Sequence, residues 1–422
     1  MHAYLLEFGN MLLRWLHVIA AMAWIGESFL FVMLDTGLRK PADAADRKRG
    51  VFGEMWAVHG GGFYHHQKYT AAPPKLPEHL HWSFLKAYTT WLSGFALFAL
   101  LYLVRPDLYL ANHDSDWGWV TQLSGWQIDL AAVLFLVLGW VAYNELCKRI
   151  SPRAERDGVL ALAVAVMMIG VAWLSMQIFS GRAAFLLTGA VMGTAMAGNV
   201  LFWIIPGQRR MVAAMEAGEE PDPDDGKRGK QRSVHNTYFT LPVVLLMLSN
   251  HYAFMYAHAQ AWLLMVLLMF AGALIRQFFV LMHGGAIRPL YPVIGSLLIA
   301  GALWLAWPAN TVPAPAATGA ADSGRQINGP VTLARVQQVL ERRCVECHSR
   351  HPTEAGFTAA PAGILLDDRE NVMRLQTRIK QAVASRYMPL GNLTGMTDAE
   401  RALIAAWQPV PGAAQESASP GQ

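Results

Sequence analysis

Long apolar runs separated by polar loops are the feature of this sequence that most restricts its fold. The chain has 422 residues, of which 54% are hydrophobic and only 15% are charged, unlike an average soluble protein. About 20 apolar residues in a helix cross a bilayer, and several runs approach or exceed that length. We therefore predict an all-α, polytopic membrane bundle with eight spans, at residues 11–34, 86–104, 126–146, 158–179, 183–205, 237–257, 260–282 and 290–307.

The loops between these spans differ regularly in charge. The first, third and fifth loops carry seven, four and six Lys or Arg residues, whereas the second, fourth and sixth carry one, one and none, and the seventh carries Arg288 alone. Basic loops stay on the cytoplasmic side of a membrane. The pattern predicts a multi-pass protein of a bacterial inner membrane, with both termini in the periplasm and the first span as an uncleaved anchor.

A cysteine motif near the C-terminus points to a covalently bound cofactor. The segment Cys344-Val345-Glu346-Cys347-His348 has the C-x-x-C-H pattern that attaches a c-type haem. Cys344 and Cys347 would bond to the haem vinyl groups, and His348 would bind the iron. A zinc site would need a second C-x-x-C or H-x-x-x-H, and neither follows within finger spacing. We predict one haem c, on the periplasmic side where such haems are attached.

A methionine downstream of this motif is the predicted second axial ligand of the iron. Met388 is followed by Pro389, whose ring fixes the backbone as an axial loop requires. A methionine in an ordinary surface turn is the simpler interpretation, and Met396 is the alternative ligand.

Composition divides the chain into a membrane domain and a small soluble domain. Residues 1–307 contain the spans, residues 308–330 are a linker rich in Pro, Ala, Gly and Thr, residues 331–410 form a predicted class I cytochrome c domain, and residues 411–422 a disordered tail. The last helix of the small domain is predicted to begin at a capping box, Thr397 with Glu400. Its apolar face, made of Leu403, Ile404 and Trp407, would pack on the helix that precedes Cys344.

Ionisable side chains within the spans are candidates for function, because burying them in a membrane is costly. Arg276 needs an anionic partner, which is either Glu27 across the bundle or a bound anionic substrate. His59 precedes three glycines, which allow close backbone approach to a ligand, and it could move a proton. The same sequence is equally typical of a re-entrant segment or a tight turn.

Two histidines at similar predicted depth could bind a second cofactor. His17 and His251 lie on different spans and could together ligate a b-type haem within the membrane. The alternative is that each is an interior histidine bonded to a neighbouring helix. Asn199, Gln277 and the edge residue His283 are predicted toward the cytoplasmic side of the bundle. Residues 229–238 are mostly a positive-inside flank, from which His235 and Asn236 could face the same cavity.

Four stretches resemble the bacterial membrane-bound urate oxidases, also called urate hydroxylases. They are LHVIAAMAWIG at 16–26, VHGGGFY at 58–64, IPGQRRM at 205–211, and residues 232–251. That family joins an eight-span domain to a C-terminal cytochrome c. The resemblance implies oxidation of urate to 5-hydroxyisourate in purine breakdown, with electrons passed to cytochrome c and the respiratory chain. The first stretch also resembles membrane helices whose histidine binds a b-type haem.

The residues and the resemblance together give a first hypothesis for the chemistry. Arg276 or Gln277 would bind the urate anion, and His59 or Glu27 would take a proton, while electrons leave toward the haem. The alternative is a membrane electron relay, from quinol or a b-type haem to the tethered cytochrome c, without urate chemistry; a transporter or redox sensor is a third hypothesis. The expected partners are urate, a respiratory-chain electron acceptor and the lipid bilayer. The net charge of +4 says little about nucleic acid, and no nucleic-acid partner is expected.

Overall fold

The computed structural model describes residues 2–69, 73–113, 115–256, 258–307, 331–354, 360–384 and 386–408. The predicted linker, 308–330, and the predicted tail, 411–422, lie outside these residues. The described part of the chain is mostly helical, with 69% helix. It divides into two compact units, residues 1–306 and residues 307–422.

Twelve helices and one hairpin make up the described part of the first unit. They are α1 (His2–Gly37), α2 (Ala44–Lys48), β1 (Val51–His59), β2 (Gly62–Tyr69), α3 (Leu85–Phe98), α4 (Pro106–Tyr109), α5 (Gly125–Ile150), α6 (Asp157–Ile178), α7 (Gly181–Asn199), α8 (Ile205–Glu216), α9 (Pro223–Leu248), α10 (Ala253–Tyr256), α11 (Ala261–His283) and α12 (Leu290–Leu305). A π-helical turn extends α3 over Ala99–Leu103, another joins α7 to α8 over Val200–Ile204, and a 3-10 turn follows α9 over Ser249–His251.

Every predicted span overlaps a helix, and within the described residues five helical segments are long and apolar enough to cross a bilayer. These are Phe8–Gly37, Gly125–Ile150, Asp157–Ile178, Gly181–Glu216 and Ala261–His283; Leu290–Leu305 is apolar but shorter. The largest difference in bounds concerns α9, which begins well before the span predicted at 237–257. Asp222 caps it by accepting a hydrogen bond from the Asp224 amide, and acidic side chains favour a helix start.

The first polar loop contains a β-hairpin, so the prediction of an all-α fold is incomplete. Strands β1 and β2 pair antiparallel, with His59 opposite Gly62. Gly60 and Gly61 turn the chain with φ of +60° and +82°, which only glycine adopts at no steric cost. The three glycines therefore form a tight turn between strands, which is one of the interpretations that their sequence allows.

Helix α7 lies at the centre of the first unit. It packs against α5, α6 and α9, while α1 packs on α3 and α12 on α11. In the apolar part of the α7–α8 segment 67% of the residues are buried, compared with 6% in α1. Small residues allow the close approach: a Cβ added to Gly139 of α5 would lie 2.7 Å from Val191 Cγ1 of α7.

The second unit is built on helices α13 (Leu333–Arg343), α14 (Arg369–Arg374), α15 (Gln376–Ala384) and α16 (Asp398–Ala406). The predicted capping box is confirmed: Thr397 N donates to Glu400 Oε2 at 2.8 Å, and Glu400 N donates to Thr397 Oγ1 at 3.3 Å. Burial opposes ionisation of Glu400, but the bonds from Thr397 and Arg343 outweigh it and lower its pKa. The predicted apolar face is also confirmed, because Leu403, Ile404 and Trp407 share one core with Val336, Val339 and Leu340.

The contact between α5 and α7 can be tested with a matched pair of glycine substitutions. We expect Gly139→Ala to lower the free energy of unfolding by about 1–3 kcal/mol, because the β-branched Val191 cannot move aside easily. Gly193→Ala on α7, where a Cβ would meet nothing within 4 Å, should be neutral or stabilising by up to about 1 kcal/mol. Thermal unfolding in detergent measures both, and equal midpoints would contradict the packing described.

Candidate functional site

A cavity of about 230 Å³ lies among α6, α7, α9 and α11. Two of the lining side chains carry side-chain polar atoms, His235 and Tyr238, and the remaining wall is apolar and includes Phe239 and Phe270. Gly272 lets α11 approach α9, since a Cβ there would lie 3.4 Å from Pro242 Cδ. Such a space, mainly apolar with a few directed polar groups, is typical of a small-molecule site.

A hydrogen-bonded network of neutral side chains lies behind His235. His235 Nδ1 is 2.8 Å from the Tyr143 hydroxyl, which accepts a hydrogen bond from Asn199 Nδ2 at 2.9 Å. Asn199 Nδ2 also donates to Asn236 Oδ1 at 2.8 Å, and Asn236 Nδ2 donates to the Met196 carbonyl at 3.1 Å. These bonds connect α5, α7 and α9 in the interior of the bundle.

Arg232 places a positive charge in this network. Its side chain is buried, and it donates to Asn199 Oδ1 at 3.3 Å and to Asn144 Oδ1 at 3.2 Å. The guanidinium lies 4.8 Å from the Trp203 ring centroid and 5.3 Å from that of Tyr143, which stabilises a cation. No carboxylate of the described chain lies within ion-pair distance of Arg232, so its charge is not neutralised there.

Arg276 is a second buried cation without a carboxylate partner. Only 4% of it is exposed, and its guanidinium lies 3.9 Å from the Phe29 ring centroid. Its Nε and Nη2 atoms are buried and have no hydrogen-bond partner among the described residues. The next residue, Gln277, accepts a hydrogen bond from the Tyr238 hydroxyl at the cavity wall, and Arg276 is close enough to Tyr238 to interact with it electrostatically.

Glu27 does not pair with Arg276. Its Oε1 atom lies 2.7 Å from Lys86 Nζ, and its Oε2 atom accepts a hydrogen bond from Ser83. Glu27 therefore faces the start of α3, whereas Phe29, two residues further on, contacts Arg276. Of the two partners predicted for Arg276, the structural ion pair is not formed.

His59 lies at the exposed end of strand β1, beside the glycine turn. None of its described contacts involves Arg276, Glu27 or the cavity. The structure thus separates the three residues predicted to be catalytic: Arg276 lies against Phe29 and near Tyr238 of the cavity wall, Glu27 lies against Lys86, and His59 lies on the hairpin.

The base of the hairpin holds a group of three potential metal ligands. Donor atoms of Asp46, Glu54 and His65 lie within 4.8 Å of one another. Asp46 already binds Gln67 Nε2 at 2.7 Å, and Glu54 binds His65 Nε2 at 2.8 Å. A bond from the Ala42 amide, and then that from His65, lowers the pKa of Glu54. These hydrogen bonds explain why the three side chains lie together without invoking a metal ion, because they attach the hairpin to α2.

The two histidines predicted as b-haem ligands have different surroundings. His17 Nδ1 lies 3.0 Å from the Thr90 carbonyl and 3.1 Å from Ser93 Oγ, both on α3. Its Nε2 atom has no described bond. His251 is exposed at the end of the 3-10 turn after α9, and the described contacts do not join it to His17.

The C-x-x-C-H segment follows directly from α13 in the second unit. Cys344 belongs to the core, and burial raises the pKa of its thiol to about 12. The His348 amide donates to the Cys344 carbonyl at 2.9 Å, and His348 Nδ1 lies 3.1 Å from the Ile364 carbonyl. A ligating histidine normally donates its other ring N–H in this way. Met388 is half-buried, whereas Met396 is 3% exposed within the core.

Sequence reasoning missed the residues at the centre of the network, Tyr143, Asn144 and Arg232. Arg232 is read from the sequence as one of the loop charges that set the topology. The early start of α9 instead brings it inside the bundle. One signal in the sequence could have drawn attention to α5. Two polar side chains, Tyr143 and Asn144, stand next to each other near the end of its apolar run.

These features define a mostly helical protein with several helices suited to a membrane. Two lining residues of its cavity, His235 and Tyr238, are close enough to interact electrostatically with the buried Arg232 and Arg276 respectively. A family model described as urate oxidase N-terminal matches residues 3–306. That is more than half of the chain and spans all the helices of the first unit, so the chain belongs to this urate oxidase-related family, which indicates an oxidoreductase. No curated protein and no solved structure matches the chain.

The network behind His235 can be tested through Asn199, which bonds to three of its members. We expect Asn199→Leu to lower the free energy of unfolding by about 2–4 kcal/mol, since Arg232, Tyr143 and Asn236 each lose a buried partner. Asn10→Leu removes a bond between exposed side chains, Asn10 and Arg14, and should change stability by less than about 0.5 kcal/mol. Urea or thermal unfolding in detergent compares the two, and an equally small effect of both would contradict the network.

Proposed function

We propose that this chain is a membrane-bound urate oxidase that converts urate to 5-hydroxyisourate and passes the electrons to its own c-type haem and the respiratory chain. The observation that carries the proposal is Arg276, a buried cation beside the cavity with two unused N–H groups. It lies in the part of the chain that matches the urate oxidase family. The loop charges support an inner-membrane location with the second unit in the periplasm.

The cavity suits a small planar anion. Drug-sized ligands occupy pockets of roughly 300–1,000 Å³, and the smaller cavity here, with aromatic walls, is scaled to a ligand the size of a purine. Urate is a planar purine that is anionic at neutral pH. An apolar slot with cations next to it would favour this anion over neutral purines of similar shape.

Arg276 offers the geometry that binds a planar anion. Its unused atoms, Nε and Nη2, form one edge of the guanidinium, and this edge makes two parallel hydrogen bonds to adjacent acceptors. The oxygen and nitrogen atoms along an edge of urate are acceptors of this kind. A guanidinium without a counter-ion is costly to bury, and a bound urate anion would offset that cost.

Oxidation of urate to 5-hydroxyisourate adds one water oxygen at C5 and releases two protons and two electrons. The site must therefore bind urate, admit water, and provide a path out for the protons and another for the electrons. Glu27 is held by Lys86 and Ser83, and His59 lies on the hairpin end, so we assign substrate binding to Arg276 with Gln277 and Tyr238. Glu27 and His59 are placed outside the substrate contacts.

The second unit supplies residues that fit a c-type haem. Cys344 and Cys347 would form the thioethers, and His348 would ligate the iron through Nε2, since its Nδ1 is held by the Ile364 carbonyl. Met388 is the better second ligand, because Met396 is committed to the core. A haem bound there would supply one-electron transfer.

The proposal extends to a b-type haem in the membrane domain. His17 fits such a role better than His251, because its Nδ1 is bonded to the Thr90 carbonyl and Nε2 is left for a metal. A pyridine haemochrome spectrum of the purified protein shows whether it contains a b-type haem in addition to the c-type haem. A spectrum of c-type haem alone would remove His17 and His251 from the ligands.

The purified full chain tests the proposal directly. Urate added without oxygen should reduce the haem while the ultraviolet absorbance of urate is lost in proportion. A membrane electron relay without urate chemistry would give the opposite result, with quinol reducing the haem and urate leaving it oxidised.

The role of Arg276 predicts a large loss of activity on substitution. We expect Arg276→Gln to lower kcat/KM for urate by roughly 100-fold, which corresponds to about 3 kcal/mol, because a buried charged contact is removed. Arg14→Gln, on an exposed arginine of α1, should retain activity. Haem content is measured for both proteins, and an active Arg276→Gln protein with full haem would exclude the binding role.

Substitution of the two methionines of the second unit should have different effects on the haem spectrum. Met388→Leu removes the proposed sulfur ligand, so we expect a high-spin haem and a lower reduction potential. Met396→Leu keeps core volume and should leave the spectrum unchanged, with a stability cost below about 1.5 kcal/mol. Absorption spectroscopy and redox titration measure both, and the reverse result would assign the ligand to Met396.

A further inference from the structure

His235 and Tyr238 are the two lining residues of the cavity whose side chains contain nitrogen or oxygen atoms, and they are not equivalent. The Tyr238 hydroxyl already donates its hydrogen to Gln277. His235 Nδ1 lies 2.8 Å from the Tyr143 hydroxyl and 3.9 Å from the Cys147 sulfur, and neither Tyr143 nor Cys147 is among the residues that line the cavity. What His235 offers to a ligand depends on which of its ring nitrogens carries the hydrogen, and the network behind it determines this.

The orientation of the two asparagines is fixed at the far ends of the network. The Met196 carbonyl can only accept, so the atom of Asn236 that faces it is Nδ2, and Oδ1 faces Asn199. Arg232 can only donate, so the atom of Asn199 that faces it is Oδ1. Both ends therefore require that Asn199 presents Nδ2 to Tyr143 and to Asn236.

The hydrogen positions then follow step by step to the cavity. The Tyr143 oxygen accepts from Asn199 Nδ2 at 2.9 Å, and His235 Nδ1, at 2.8 Å, is the strong acceptor next to its hydrogen. The Cys147 sulfur, 3.9 Å from the same His235 nitrogen, is a weak hydrogen-bonding group in comparison. A neutral imidazole that accepts at Nδ1 carries its hydrogen on Nε2. His235 therefore presents an N–H donor at the cavity.

We propose that His235, held in the Nε2–H form by Tyr143 and Asn199, donates a hydrogen bond to the anionic oxopurine in the cavity. This rests on the proposed urate function and adds a contact residue to it. The donors of the site then include Arg276 and His235, and Arg232 lies one helical turn behind His235 on α9. Tyr143 and Asn199 are positioning residues, because they act through the imidazole.

Urate binding to the full chain with its haem reduced by dithionite measures this contact without turnover. We expect His235→Leu to weaken binding by roughly 10- to 100-fold, the usual effect of losing a hydrogen bond to a charged group. His235→Gln keeps a side-chain N–H donor and should recover part of the affinity. His79→Gln, on an exposed loop histidine, should bind urate as the unaltered protein does.

The ¹⁵N spectrum of labelled histidine tests the orientation separately. We expect the Nε2–H form for His235, and we expect Asn199→Asp to invert it, because a carboxylate accepts the Tyr143 hydrogen and turns the Tyr143 oxygen toward an Nδ1–H. An Nδ1–H form in the unaltered protein, or unchanged urate affinity in His235→Leu while the unaltered protein still oxidises urate, would overturn the inference. An unaltered protein that neither binds nor oxidises urate would instead refute the proposed function.

Discussion

A positive charge without a negative partner in the interior of a helical bundle is the constraint on which the rest of the first unit depends. Arg232 and Arg276 are both buried, and neither has a carboxylate within ion-pair distance in the part of the chain that the structure describes. Neutral amides and aromatic rings support the charges but do not cancel them. The helices around them thus retain two positive charges without a described counter-ion, which is the condition that the proposed anion site requires.

The sequence was sufficient for the parts of the fold that depend on local chemistry. Apolar length predicted a helix at every proposed span, and the Thr397–Glu400 capping box and its apolar face were confirmed, because a cap and a stripe each involve residues close in sequence. The number of spans remains a prediction, since five helical segments meet the length and apolarity of a span. The hairpin was missed because three glycines indicate a turn without indicating what flanks it.

The candidate site was less accessible to sequence reasoning, because its members come from distant segments. Arg276 was identified as needing a partner, but its proximity to Phe29 instead of Glu27 depends on which face of α1 meets α11. Arg232 was misread because a basic residue just before an apolar run looks the same whether it lies in solvent or inside a helix. Tyr143 and Asn144 are recognised as members of the network only once α5 is seen to pack beside the helices α7 and α9, which carry their hydrogen-bond partners.

The π-helical turn at Val200–Ile204 has a consequence for how α7 and α8 are related. A π turn holds one residue more than an α turn, so residues after it are rotated by about 100° relative to an uninterrupted helix. Trp203 lies within this turn, where its Nε1 donates to Asn144 Oδ1 at 2.8 Å and its ring centroid lies 4.8 Å from the guanidinium of Arg232. The turn itself thus covers the Arg232 charge with an aromatic ring, while α7 before it packs against α5 and α9, and α8 after it packs against α9. Loss of a single residue there would leave both segments helical and uncover the charge.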